Sequence, residues 1–394
     1  MSAALDRVRE HMGRPFTEAT ALPAEAYTSP DVHDAEREMI FASEWICVAR
    51  VAELVNVGDH VVAEVPSGTV DAVEAEHHRS LLVVRASDVE VVVFENVCVH
   101  RGATLVEGAG TTSRFTCPYH AWTYRLDGQL VAAPYMQGSV EEDGSPFDVG
   151  CHELVRVRSE LWQGFVFVTS DDDARPLGPR LTELDAVLGR YRLADYVPVH
   201  REVDVWDTNW KCLVENFMDA YHVFKVHRAT FGAGGDSTLA TTMCPGTAAS
   251  AHHVVVDEPG GEHGESHPSD DRLEGTWRQT TVLAAAFPTL VMQVQPDWLW
   301  YLQISPLGTA RVRIAWHLAI APVTLRHQPD PAAYVAGVVD LLHRVNAEDR
   351  PVVEGVRRGQ RRSGLTSAPL SYLERNVYDF DQYVVGRLVC VEQP

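Results

Sequence analysis

Basic charge is scarce in this chain. Against 55 acidic side chains its 394 residues set 33 lysines and arginines, for a formal net charge of −22. That balance excludes the positive footprint needed to hold nucleic acid or an anionic membrane surface. Long apolar runs are also missing. No run approaches the roughly 20 residues that span a bilayer, and the opening MSAALDRVREHMGRPF has no signal-peptide core. The expected compartment is the cytoplasm. Cysteines are few, odd in number and scattered, at 47, 98, 117, 151, 212, 244 and 390. This excludes a disulfide framework and predicts reduced thiols, available as metal ligands. No internal repeat is present.

What remains is the composition of a globular protein, 45% hydrophobic and 22% charged, long enough for two domains that each bury a core. Residues 1–50 read as an N-terminal segment packing on the later domain, with an Asp34-capped helix running into a strand. Residues 51–170 are short β-rich runs (VVAEV, LLVVRA, VEVVVFENV, ELWQGFVFV) punctuated by turns. Asp127-Gly128 predicts a two-residue hairpin turn with both residues at positive φ. SDDDARPLGP, 170–179, reads as a linker, and 171–394 as a larger domain with an antiparallel sheet flanked by helices. The overall class is α+β. Residues 232–275 are rich in glycine, charge and histidine, so they read as a solvated loop or lid carrying His252, His253, His263 and His267. In DWLWYLQISP, Trp298, Trp300, Leu302 and Ile304 fall on one strand face and Leu299, Tyr301 and Gln303 on the other. A long helix is expected over 330–360 and a shorter one over 378–388.

One stretch, WKCLVENFMDAYHVFKVH at 210–227, concentrates acids and histidines. Asp219 and His222 stand three apart and share a helical face, with Glu215 one turn earlier. His227 lies about 140° further round, so both rings reach one point only if the helix ends or unwinds between them. The β-branched Val223 and Val226 offer a weak place for that. Two neutral imidazoles with a carboxylate form the facial set used by non-haem Fe(II). Ordinary histidines on an amphipathic helix are the alternative. Glu215 fits either a buried acid paired with a basic residue such as Lys211 or a direct part in the site. Arg357, Arg358, Arg361 and Arg362 fit either a cationic helix end or a docking patch for an acidic protein.

A second constellation lies in the β-rich half. Cys98-x-His100-Arg101-Gly102 is followed by Cys117-Pro118-Tyr119-His120-Ala121-Trp122. Two thiolates and two imidazoles suit tetrahedral zinc or a Rieske [2Fe–2S] centre, where two histidines replace two cysteines on one iron.

Taken with N-W-K…E-N…D-x-x-H-x4-H at 209–227, GFVFV at 164–168 and P-L-S-x-x-E-R-N at 369–376, these motifs resemble the Rieske-type non-haem iron oxygenases, the aromatic ring-hydroxylating oxygenase alpha-subunit family. The resemblance implies an all-β Rieske domain and a catalytic domain of helix-grip type. It implies Cys98 and Cys117 on one cluster iron, His100 and His120 on the other, and a mononuclear iron on His222, His227 and a carboxylate of the long C-terminal helix. Asp349 is chosen there, with Glu348 and Glu354 open. Asp219 matches the acid that links His222 to a neighbouring subunit's Rieske histidine, here His120, in a head-to-tail homotrimer. Tyr119 and Trp122 pack around the cluster. The implied activity is hydroxylation or oxidative demethylation of a small molecule with O2, fed by a ferredoxin or flavin reductase. Ring cis-dihydroxylation, and electron transfer without oxygenase activity, are the alternatives. Trp298, Trp300 and Tyr301 suggest either core or a cage for a quaternary ammonium group.

Overall fold

The computed structural model describes residues 2–66, 78–136, 147–231, 241–244, 246, 248–255, 264–362 and 367–389. Its chain divides into two units. Met1–Glu44 and Arg175–Pro394 supply the first, and Trp45–Ser67 with His77–Ala174 supply the second.

The second unit is all strand and turn. Its elements are β1 (Ile46–Arg50), β2 (Asp59–Pro66), β3 (His78–Arg85), β4 (Val91–Glu95), β5 (Ala109–Thr111), β6 (Phe115–Thr116), β7 (Thr123–Tyr124), β8 (Leu130–Ala132), β9 (Arg158–Trp162) and β10 (Phe165–Thr169). They form sheets ordered β4-β3-β2-β5, β1-β10-β9 and β6-β7-β8. The sequence reading left β1 in the N-terminal segment; instead it pairs antiparallel with β10, Ile46 opposite Val168. All five residues of β1 are buried, so its backbone needs the ladder that β10 supplies. Gln163 and Gly164 both have positive φ, 49° and 81°, and turn β9 into β10 in two residues. The Asp127-Gly128 turn differs from expectation. Only Gly128 has positive φ, and Arg125 N donates to Gln129 O at 2.8 Å, which closes a three-residue loop. Glycine is required there twice over, since a Cβ at 128 would lie 2.6 Å from the Phe94 ring. Phe94 itself sits in the core with Leu82, Val92, Phe115 and Tyr124.

In the first unit, helices α1 (Ala3–Arg9), α2 (Glu25–Thr28) and α3 (Pro30–Glu36) precede α4 (Leu177–Arg180) and α5 (Thr182–Leu188). A seven-stranded antiparallel sheet follows, ordered β11-β17-β16-β15-β14-β13-β12. Its strands are β11 (Val197–Trp206), β12 (Thr241–Cys244), β13 (Ala249–Val255), β14 (Thr280–Ala286), β15 (Leu290–Val294), β16 (Trp298–Pro306) and β17 (Val312–Ile320). The remaining helices are α6 (Trp210–Met218), α7 (Val223–Val226), α8 (Pro322–His327), α9 (Pro331–Gln360) and α10 (Arg375–Val389). Helix α6 packs on β14, β15 and β16 as well as on α9 and α10.

Polar anchors fix α6. Asn209 caps it by accepting from Lys211 N at 3.0 Å, and the buried Glu36 carboxylate accepts from Trp210 Nε1 at 2.9 Å and from Lys211 Nζ. Lys211 therefore pairs with Glu36 in α3, whereas Glu215 accepts from Tyr27 at 2.7 Å. The expected Lys211–Glu215 pair gives way because Glu36 also satisfies the indole. The P-L-S-x-x-E-R-N motif is a helix start. Ser371 and Glu374 form a capping box at the head of α10, and Asn376 Nδ2 donates to Ser250 Oγ at 2.6 Å, tying α10 to β13.

Two other readings are corrected, and a third, open between core and cage, resolves to core. Helix α3 starts at Pro30 after Ser29, not at Asp34, because proline is pre-set for a first helical turn. The span 232–275 is not one solvated loop: β12 and β13 lie within it and join the sheet, and His252 is buried at 3% exposure. Backbone pairing to β14 overrides the glycine-rich flanks; 232–240, 256–263 and thus His263 lie outside the described residues. In β16 both faces are buried, and alternation puts Trp300 against Phe217 and Tyr301 against His317. Trp298, Trp300 and Tyr301 therefore cannot enclose one ligand together.

Gly128→Ala is expected to destabilise the second unit by about 1–3 kcal/mol, as overpacking against Phe94 does; denaturant unfolding measures it, and an unchanged midpoint contradicts the argument. Glu215 supplies a pH test. Burial raises its carboxyl, against the Tyr27 hydrogen bond and Lys211, to about 7 from 4.5. Stability from its protonated form is complete below about 4.5 and fades as pH rises through about 7, by up to about 1.4 kcal/mol per pH unit. Wild type should thus lose stability relative to Glu215→Gln between pH 5 and 8. Parallel unfolding curves for the two proteins across that range would disprove it.

Candidate metal centres

The two Cys-His loops of the second unit share one backbone pattern. Cys98 N donates to Ala103 O at 2.8 Å and Gly102 N to Cys98 O at 2.9 Å; Cys117 N donates to Trp122 O at 2.8 Å and Ala121 N to Cys117 O at 3.0 Å. In each loop the fourth residue after the cysteine is left-handed, Gly102 at φ 71° and Ala121 at φ 58°. For alanine that conformation carries a penalty of roughly 1–2 kcal/mol. The paired turns bury both cysteines, at 1% and 3% exposure. They bring the His100 and His120 rings to 4.8 Å between centroids.

Trp122 lies flat on His100 at 4.6 Å and 3°, which fixes the ring. Tyr124 Oη lies 3.2 Å from Cys98 Sγ. Burial pushes the Cys98 thiol up, the Tyr124 hydrogen bond opposing it and Cys117 adding to it, so a thiolate there requires a cation beside it. His100 Nδ1 is buried and makes no hydrogen bond, which leaves a ring nitrogen free to bind. Two buried thiols with two clustered imidazoles fit an iron–sulfur centre of mixed ligation.

In the first unit the 210–227 stretch is broken, but earlier than expected. Helix α6 stops at Met218, and Asp219 is extended at φ −83° and ψ 112°. Its Oδ1 accepts from Tyr221 N at 2.5 Å, an Asx turn that replaces the next helical hydrogen bond. His222 then caps the single turn α7, and His227 closes it. The valines at 223 and 226 are inside that turn, so the break comes from Asp219 and not from β-branching.

The result is convergence. His222 Nε2 lies 3.1 Å from His227 Nε2. Asp349 Oδ1, from α9, lies 3.5 Å from the first and 3.1 Å from the second. Each Nδ1 faces a carboxylate: His222 to Asp219 at 3.2 Å and His227 to Glu348 at 2.9 Å. Thr230 Oγ1 donates to the same Glu348 oxygen at 2.7 Å. With each Nδ1–H donated outward, both Nε2 atoms present lone pairs to Asp349 Oδ1, itself buried without a hydrogen bond. Three acceptors aimed at one point fit a cation. Electrostatics agree. Burial lowers His222, but the Asp219 and Asp349 carboxylates outweigh it and raise the imidazole to about 9, so without a metal a proton takes the place of the cation. Burial raises Asp349, yet His222 and His227 hold it at about 2.

Of the alternatives to Asp349, Glu348 supports His227 from outside, and Glu354 pairs with Arg350 at 2.9 Å. Sequence reasoning missed the supporting roles of Glu348 and Thr230. The only signal was that Glu348 adjoins Asp349. Arg357, read as part of a surface cluster, is buried at 6%, while Arg361 and Arg362 stay exposed.

Comparison with known proteins matches residues 44–149 to the Rieske [2Fe–2S] domain and 193–389 to the ring hydroxylating alpha subunit (catalytic domain). The oxygenase subunit of carnitine monooxygenase from Escherichia coli K12 is 35% identical over 213 residues, 53% of each chain. The match thus spans about half the length of that relative. A quaternary ammonium Rieske monooxygenase, described for carnitine oxidation and inter-subunit electron transfer, superposes with TM-score 0.79 at 22% identity, over 96% of this chain and 98% of that one. Naphthalene 1,2-dioxygenase from Rhodococcus sp. gives 0.75 at 21% identity and 99% of both chains. Among the described residues no helix is long and apolar enough to cross a membrane. With cluster loops in its all-β unit and a matched segment spanning half its length, the chain belongs to the ring-hydroxylating alpha-subunit family, joining a Rieske [2Fe–2S] domain to a catalytic domain that binds mononuclear iron.

Proposed function

We propose that this chain is the oxygenase component of a multi-component Rieske system, using O2 and electrons from a ferredoxin or flavin reductase to hydroxylate or oxidatively demethylate a small organic molecule. The observation that carries the reading is the convergence of His222 Nε2, His227 Nε2 and Asp349 Oδ1. In this reading those three atoms hold the mononuclear iron, while Cys98, Cys117, His100 and His120 hold the cluster. When bound, the two centres supply single-electron storage and oxygen chemistry that side chains lack.

The protein's own groups do the rest. Asp219 and Glu348 fix the tautomers of His222 and His227, and Thr230 keeps Glu348 in place. Asp349 stays ionised across the neutral range. His120 is exposed, and the Asp219 side chain keeps 18% of its surface. Both are thus available to meet across a head-to-tail trimer, where His120 of one copy donates to Asp219 of the next. Exposed Arg361 and Arg362 at the end of α9 suit an acidic electron donor.

For substrate, the 35% identity with carnitine monooxygenase favours a quaternary ammonium compound over an arene. Phe217, two residues before Asp219, packs against Trp300 with rings 5.2 Å apart, and in this reading that pair offers an aromatic face to such a cation.

Asp349→Ala should abolish turnover and mononuclear iron while the Rieske EPR signal persists. Loss of the EPR signal, or retained iron, contradicts the assignment. Asp219→Asn preserves the acceptor of the Asx turn; it should keep both metal contents yet lower turnover by on the order of 10–100-fold. Unchanged turnover sinks the relay. Oxygen uptake should be coupled to carnitine or glycine betaine and not to naphthalene or salicylate, and the reverse preference overturns the substrate class.

A further inference from the structure

A second cluster of metal-binding side chains lies in the first unit, built from β11 and a different face of α9. His200 and Glu202 are two apart on β11, so both point to one side of this edge strand. His343 meets them from α9. Glu202 Oε2 lies 3.5 Å from His200 Nε2 and 3.3 Å from His343 Nε2, and one ligand atom from each residue falls within 4.8 Å of the others. Both rings lean on the same buried indole. Trp316 lies 4.6 Å from the His200 ring, tilted by 37°, and 5.3 Å from the His343 ring, edge-on at 88°. His200 Nε2 is itself buried and makes no hydrogen bond. An imidazole nitrogen without a hydrogen bond, turned towards a carboxylate and a second imidazole whose ring is braced by the same tryptophan, offers a lone pair to a cation.

We propose that His200, Glu202 and His343 form a site for a divalent transition metal of the zinc class, separate from the His222–His227–Asp349 centre. Two imidazoles and one carboxylate suit zinc, nickel or copper, and the exposed side, with His343 at 47% and Glu202 at 42%, leaves the remaining positions to water. Magnesium and calcium are disfavoured by the nitrogen donors. His343 and Asp349 are six residues apart on α9, about 9 Å along the axis and about 240° round it. One helix thus offers ligands to two sites on different faces. A metal here ties β11 to α9 and stabilises the element that carries Asp349.

The test is a zinc chloride titration of the iron-loaded protein, followed by calorimetry and metal analysis after desalting. Wild type should take up one zinc per chain with cluster and mononuclear iron contents unchanged, and its thermal midpoint should rise. His343→Ala, a change at an exposed helix position, and the near-isosteric Glu202→Gln should each weaken that zinc by on the order of tenfold or more and abolish the rise. Zinc that enters only as iron leaves overturns the proposal. So does equal binding in wild type and both variants, or no zinc uptake, in which case Glu202 serves only as an ion-pair partner for the two histidines.

Discussion

The side chain of Asp219 sets the geometry on which the catalytic unit depends. By accepting from Tyr221 N it stops α6 at Met218, and by accepting from His222 Nδ1 it aims the ring that the stop has freed. A straight helix would leave His222 and His227 about 140° apart. Ending it brings their Nε2 atoms to 3.1 Å. One carboxylate thus converts a helical periodicity that scatters two histidines into a bend that gathers them.

The bend is useful only if the helix before it cannot shift. Glu36 provides that fixity from far away in sequence, receiving Trp210 and Lys211 in a buried cluster. Breaking such a pair would strand a charge in the interior, at a penalty of about 3–5 kcal/mol. On the far side α9 delivers Asp349 and Glu348 as neighbours with separate tasks, one facing the two Nε2 atoms and the other holding His227. The site is therefore assembled by long-range polar contacts more than by local propensity.

That division explains what could be read from residues alone. The Cys98–His120 motifs are local, so spacing exposed a metal-binding set, and their resemblance to a known family, together with the 209–227 motif, pointed to the Rieske fold. The α+β class and the antiparallel sheet were equally legible from strand alternation. The break at Asp219 was expected in kind but misplaced, because side-chain competition for backbone donors leaves no periodic trace. Strands β12 and β13 were hidden by glycine-rich neighbours, since their order comes from pairing with β14. Glu215 was matched to Lys211 by helical spacing, while the stronger partner of each, Tyr27 and Glu36, lies more than a hundred residues away.

The order of ligands along the chain has a consequence for assembly in time. On the proposed assignment all four cluster ligands lie in a unit whose last residue is Ala174, whereas the mononuclear centre waits for Asp349, about 175 residues later. At roughly 5–20 residues per second of synthesis, the Rieske unit is complete for about 10–35 seconds before the final carboxylate has been made. The cluster loops can therefore fold before the mononuclear site is complete; a shortage of sulfide alone would spare the mononuclear iron and leave the cluster unbuilt, whereas a shortage of iron would starve both centres.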